Sequence, residues 1–227
     1  MSLRCRPAFS RAALFCSALF GVALPVTAHA CETALLLSMD VSGSIDRDEY
    51  RLQVDGLSAA LLDPVVVDAL VQGRDRLAVA QWSGAGQMTL SLPWIAINSH
   101  ADAARFAARV QAMPRAYLGS DTAVGEAITF AVAQFADVAD CERHVADLSG
   151  DGPLNAGRPT AAARRSAELQ GITLNGLAID GFGRTVTNFY LRHVITRDGF
   201  VVTAQGFLDY ARAIRLKLIR ELTRPIG

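Results

Sequence analysis

The sequence predicts an α/β domain with a mostly parallel central sheet, one antiparallel edge strand and helices on both faces. Three observations predict it. Short, continuous apolar runs such as Thr33 to Asp40 (TALLLSMD) and Ile172 to Ile179 (ITLNGLAI) stop at an acid or a turn, as strands buried on both faces of a parallel sheet do. These runs alternate with stretches whose apolar residues recur at helical spacing, the pattern of strand, crossover helix, strand. One pair of runs, Arg76 to Trp82 and Met88 to Ile97, is joined only by a turn around Gly84-Ala85-Gly86. That link is too short for a crossover, so the pair must be antiparallel.

In chain order, the strand ending at Asp40 is followed by a helix. Asp46 can cap it, Glu49 stands where a capping box places its acid, and Leu52, Leu57, Ala60 and Leu61 recur at roughly helical spacing until Pro64 interrupts. After the antiparallel pair, Ala and Phe spacing predicts a helix over Ala101 to Met113, a loop at Pro114, and a second helix over Asp121 to Phe135 after the Gly119-Ser120 turn. His144 to Leu148 reads as a strand, Ala161 to Leu169 as a helix, and Ile172 to Ile179 as the next strand. Thr187 to His193 is a short helix, Phe200 to Thr203 a last strand, and Phe207 to Leu222 an amphipathic helix with Ala211, Ile214, Leu218 and Leu222 on one face. Trp82, Trp94 and Phe189 are expected in the core.

The first thirty residues stand apart. Arg4, Arg6 and Arg11 precede an apolar stretch from Ala12 to Val26, and Ala28-His29-Ala30 fits the small-x-small cleavage rule. Residues 1–30 therefore read as a secretory signal peptide and residues 31–227 as one domain. No later segment reaches about 18 uninterrupted apolar residues, so no transmembrane segment is expected in the mature chain. A periplasmic or secreted protein is expected. The full chain balances 22 basic against 22 acidic residues. Three of those Arg and no acid fall in the leader, which leaves the remainder slightly acidic and gives no reason to expect nucleic acid. Oligomeric state is not legible.

Cys5 and Cys16 leave with the leader, and Cys31 and Cys141 remain. An oxidising compartment favours a disulfide between them. Each lies nine or ten residues before an Asp assigned to a strand end, which puts both at the same end of the sheet. The alternatives are two buried free thiols, or lipid attachment at Cys31, for which Ala28 and His29 make a poor recognition sequence.

In parallel sheets of this kind ligands bind beyond the carboxyl ends of the strands, where strand order reverses. The loops after Asp40, Gly119 and Asp151 should meet there. The first, Asp40-Val41-Ser42-Gly43-Ser44, carries a carboxylate and two hydroxyls; the second adds Thr122; the third, Leu148-Ser149-Gly150-Asp151-Gly152, presents a carboxylate between glycines. Each alone reads equally well as helix capping or a turn. Together they bring five hard oxygen donors to one edge, a set suited to magnesium, manganese or calcium and lacking any soft ligand for zinc or copper.

Asp40, Ser42, Ser44, Thr122 and Asp151 together resemble the metal-ion-dependent adhesion site of von Willebrand factor type A domains, whose pattern is D-x-S-x-S, then Thr, then Asp. The resemblance covers essentially the whole mature chain and implies that Rossmann-like fold. Within it, DVSGS, SGDGPLN and GITLNGLAID look like a bacterial exported family of unknown function. One departure is Thr122-Ala123-Val124-Gly125, where those domains usually carry Thr-x-Thr-Gly. The resemblance implies that Ser42, Ser44 and sometimes Thr122 touch the ion directly, that Asp40 and Asp151 act largely through water, and that magnesium is the expected cofactor. With two carboxylates balancing a divalent ion, an open position can take a Glu or Asp carboxylate from a protein partner.

The expected function is thus a non-enzymatic, cation-dependent protein-binding domain. The competing readings are a metal or serine hydrolase on the same framework, and an envelope structural protein whose ion only stabilises loops. The sequence has no G-x-S-x-G, H-E-x-x-H or G-x-G-x-x-G, and His100, His144 and His193 follow no metal spacing. Asp46, Asp48, Glu49 and Asp121 lie near the first site in sequence, but acids at a helix start ordinarily serve the macrodipole.

Overall fold

A computed structural model describes Met1 and residues 31–223 apart from residue 182. The signal peptide assigned to residues 1–30 therefore lies outside the described residues, Met1 aside. The chain forms β1 (Cys31–Asp40), α1 (Arg47–Ala60), α2 (Pro64–Gly73), β2 (Arg76–Trp82), β3 (Met88–Ala96), α3 (His100–Gln111), α4 (Val124–Gln134), β4 (Cys141–Gly150), α5 (Thr160–Leu169), β5 (Ile172–Asp180), α6 (Thr185–Phe189), β6 (Val201–Gln205) and α7 (Tyr210–Leu222). The six strands are ordered β3-β2-β1-β4-β5-β6. All neighbours are parallel except β2 and β3, so the mixed sheet matches the expected architecture.

Alternation along β1 explains its central place. Leu35, Leu37 and Met39 join the core under α1, α2, α3 and α7, while Ala34 and Leu36 join the core under α4, α5 and α6. A strand whose two faces are both apolar can be stable only between two helical layers. At the edge, Pro93 and Trp94 stand opposite Ala78 alone where the β2–β3 register shifts. Pro cannot donate to a ladder, and an edge bulge is where a sheet tolerates it.

Cys31 and Cys141 sit opposite one another at the start of β1 and β4. They are joined by a disulfide, their Cα atoms 4.7 Å apart.

Several elements differ from the sequence reading. Pro64 does not simply interrupt a helix: it opens α2, at the first turn, with Asp63 as N-cap accepting from Val65 N. The Val-rich stretch lacks helical periodicity, yet Asp followed by Pro is a helix start signal. The stretch over 121–135 becomes helical only at Val124. The short helix before β6 begins at Thr185 and continues as a wide π turn over Tyr190–Val194. In α7 the expected face holds at Ile214 and Leu218, with Leu222 packed against the core; Ala211 is exposed, and Tyr210, Ala213, Lys217 and Glu221 are buried beside them. Lys217 can be buried because its ammonium lies 2.6 Å from Asp147 of β4 and 2.5 Å from Glu221. Asn175 of β5 also donates to Glu221.

Candidate metal centre

Strand order reverses between β1 and β4, so the carboxyl ends of these neighbours open a crevice that no crossover fills. The five donor residues meet there. Ser44 Oγ donates to Asp151 Oδ1 at 2.8 Å, Ser42 and Ser44 Oγ are 3.2 Å apart, and Thr122 Oγ1 donates to Ser42 Oγ at 3.3 Å. Asp40 closes its own turn by accepting from Ser42 N at 2.8 Å. Residues up to 107 apart in sequence thus touch.

Burial is graded. Asp40 and Ser42 are fully buried and Thr122 nearly so, whereas Ser44 is exposed and Asp151 half-buried. The cluster therefore has a closed floor and one open side, at Ser44 and Asp151. Burial pushes the Asp40 carboxyl up to about 7, against the hydrogen bonds from Ser42 that lower it, with the Asp151 charge adding to the rise. Burial also raises Asp151, partly offset by Ser44. Two desolvated carboxylates with no basic side chain bonded to them are what a hard divalent cation would relieve. The all-oxygen donor set fits such an ion. Among the described residues no three His, Cys, Asp or Glu side chains gather as a metal cluster, because this set is three hydroxyls and only two carboxylates.

Further contacts fix the loops, several of them from residues the sequence does not mark. Arg115 Nη2 donates to the carbonyls of Val41 and Ser42 at 3.0 and 2.8 Å, and Gln53 reaches the Asp40 carbonyl. Asn155 Oδ1 accepts from Thr122 N at 2.7 Å, and Asn155 N donates back to the Thr122 carbonyl. Gly43 N donates to the Ser120 carbonyl at 2.6 Å. Gly119 makes that turn possible with φ of 63°, a left-handed conformation that side chains disfavour. Thr122 does not cap α4, whose N-cap is Ala123 with no side-chain bond; its hydroxyl is turned toward Ser42 instead. Glu126 of α4 accepts from Arg158 N, tying down the far end of the Asp151 loop.

Asp46 and Glu49 form the expected reciprocal capping box, each side chain accepting from the other's backbone N at 2.8 Å. Beside Asp151 a cavity of about 450 Å³ is lined by Glu49, Leu52, Ile179, Phe207 and Leu208 among others. Leu208 is 89% exposed at its rim. No helix among the described residues is long and apolar enough to cross a membrane.

A family model described as a protein of unknown function, DUF1194, matches residues 30–226. No curated protein matches. Among solved structures, proximal thread matrix protein 1 from the mussel byssus, described with a zinc-occupied MIDAS motif, is similar at 19% identity and a TM-score of 0.64, over 85% of this chain and 48% of that one. A von Willebrand factor type A protein from Catenulispora acidiphila is similar at 18% identity and a TM-score of 0.59, over 87% and 44%. Manganese-loaded TRAP protein from Plasmodium vivax is similar at 17% identity and a TM-score of 0.57, over 85% and 74%. The matched chain is about half the length of the first two. At these identities the likeness is one of fold.

Proposed function

The chain belongs to the DUF1194 family, and from that premise we propose that it is an exported protein-binding domain whose partner supplies an acidic side chain to a divalent cation held by Asp40, Ser42, Ser44, Thr122 and Asp151. The observation that carries this reading is the graded burial of the five donors, closed at Asp40 and open at Ser44 and Asp151. A bound cation would supply a Lewis-acidic point of attachment for a carboxylate. Magnesium is the proposed ion, with manganese or calcium able to take the same oxygen set. Solved relatives of this fold described with zinc or manganese support a metal at this edge. The leader read over residues 1–30 supports export to the periplasm or medium.

Each donor has a distinct part. Asp40 and Asp151 balance the ion's charge, Ser42 and Ser44 offer neutral oxygens, and Thr122 stands ready as a further neutral oxygen. The cavity beside Asp151 has room for an apolar side chain next to the partner's acid, against Leu52, Ile179, Phe207 and Leu208. Binding, not turnover, is the reading the donors favour: the side-chain partners of the three hydroxyls are one another and the two site carboxylates, and among the described residues no imidazole is bonded to them.

Magnesium or manganese should raise the melting temperature. At about 100 times Kd the native state gains roughly 2.7 kcal/mol. Asp40→Ala and Asp151→Ala should abolish that gain, whereas Thr122→Ala should keep most metal affinity and lose capture of the partner from envelope extract. Calorimetric titration of wild type and the three variants, followed by pull-down with and without chelator, checks each step. Wild-type protein with neither heat nor thermal shift would sink the reading, and metal-dependent hydrolysis of a generic ester or phosphate lost in Asp151→Ala would replace it with an enzyme.

A further inference from the structure

We infer that Tyr190 is a positioning residue for the cation site, its hydroxyl holding the inner oxygen of Asp40, and that Gly150 and Gly176 are glycines because they admit its ring. The inference rests on the proposed cation site. It begins with two atoms. Among the described residues, Tyr190 Oη and Asp40 Oδ2 are both buried without a hydrogen-bond partner. Both face Gly150: a Cβ built there would lie 2.7 Å from Tyr190 Oη and 2.9 Å from Asp40 Oδ2. An unpaired donor and an unpaired carboxylate oxygen thus stand against the same glycine, not bonded to each other in this structure but close enough that a small shift would let each relieve the other's desolvation. A charge-assisted O–H to carboxylate bond is among the strongest ways to do so.

The rest of the ring is held as closely as the hydroxyl. A Cβ at Gly176 would lie 2.5 Å from Tyr190 Cδ1, so the ring lies against bare backbone of β5. Leu148 pairs with Gly176 and Gly150 with Ala178 across β4 and β5, which makes the two glycines the walls of one slot. Glycine inside a strand weakens it and marks a place where something approaches closely. Here that something is one tyrosine, fully buried. It enters at the junction where α6 widens into the π turn, with Ile195 N donating to the Tyr190 carbonyl; π turns of this kind recur at functional sites. A ring needed only to fill space would not require a hydroxyl set against the same glycine as the inner oxygen of Asp40. Gly150 of SGDG and Gly176 of ITLNG, unexplained by the five donors, are accounted for by this close approach.

The test is Tyr190→Phe, which removes one oxygen and leaves the packing. Manganese affinity by titration calorimetry should fall at least about tenfold, the range seen when groups behind metal ligands are removed, while the metal-free melting temperature stays close to wild type. In metal-free protein the Asp40 carboxyl ¹³C signal, assigned by its loss in Asp40→Asn, should move in Tyr190→Phe while the signal of Asp180, on the same sheet edge, stays. Gly176→Ala, which displaces the ring with all five donors intact, should weaken manganese in the same direction. Equal manganese affinity in wild type and Tyr190→Phe overturns the role of Tyr190 and leaves the cation site standing. Wild type without manganese binding overturns the cation site itself. In that case the Asp40 signal still decides the contact, and an unmoved signal overturns it.

Discussion

At the scale of single residues, the proposed site is a set of oxygens whose charge state would decide whether a cation can stay. Asp40 titrates near 7 instead of 3.8 because it is buried. In metal-free protein a carboxyl raised in this way favours the fold fully below 3.8, and that contribution is lost as pH rises toward about 7. A cation needs the ionised form, so its affinity runs the other way. Magnesium affinity should therefore weaken by roughly tenfold per pH unit on going down from about 7 toward 5, and level off above. Titrations at several pH values check this, and a flat profile across that range would remove Asp40 from the site. The five donors were legible in the sequence because each sits in a short loop beside a strand end, where residue type and position are local information. Arg115, Asn155 and Tyr190 were not, since their roles depend on partners 33 to more than 100 residues away. Only the strand glycines, 150 at the end of β4 and 176 within β5, carried a trace of the last.

Among the elements, strands and most helices were legible from periodicity, and the misreadings share a cause. Periodicity ranks residues by polarity, which fails where polar groups satisfy one another. In α7, Lys217 occupies the buried face because it pairs with Asp147 and Glu221, so counting apolar residues found Ile214 and Leu218 but missed Lys217 and Glu221 and added the exposed Ala211. The opposite failure is α2, too uniformly apolar to show a face. The buried cluster predicts its own energetics. Lys217→Ala leaves two carboxylates uncompensated and should destabilise the domain by about 3–5 kcal/mol. Burial already pushes Asp147 up, against the pull of Lys217. Without the lysine the Asp147 carboxyl should take up a proton in the folded state, so the loss should be larger at pH 8 than at pH 5. Urea unfolding at the two pH values measures it, and a pH-independent loss below about 1 kcal/mol would mean the cluster does little to hold α7.

For the whole molecule, the fold class followed from the alternation of runs, and the sheet order then places the site without further assumption. The disulfide was one of three readings open to Cys31 and Cys141, because connectivity depends on two strand starts being neighbours, and only the register of β1 against β4 supplies that. It closes a loop of 110 residues. Cys141→Ser should lower stability by about 2–4 kcal/mol, and reductant should bring wild type down to the level of the variant in thermal unfolding. Reductant without effect would show that the bridge contributes nothing. The same bridge has a consequence for mounting. Cys31 lies at the opposite end of β1 from Asp40, about 30 Å away for a ten-residue strand, and Arg143 ties the last turn of α7 to Thr33 beside it. Both ends of the described residues 31–223 thus leave from one pole, and the loops of Asp40, Thr122 and Asp151 crown the other. A linker, a bead or a sensor chip joined at either end would hold the domain by its base, with the proposed recognition edge turned to the solution.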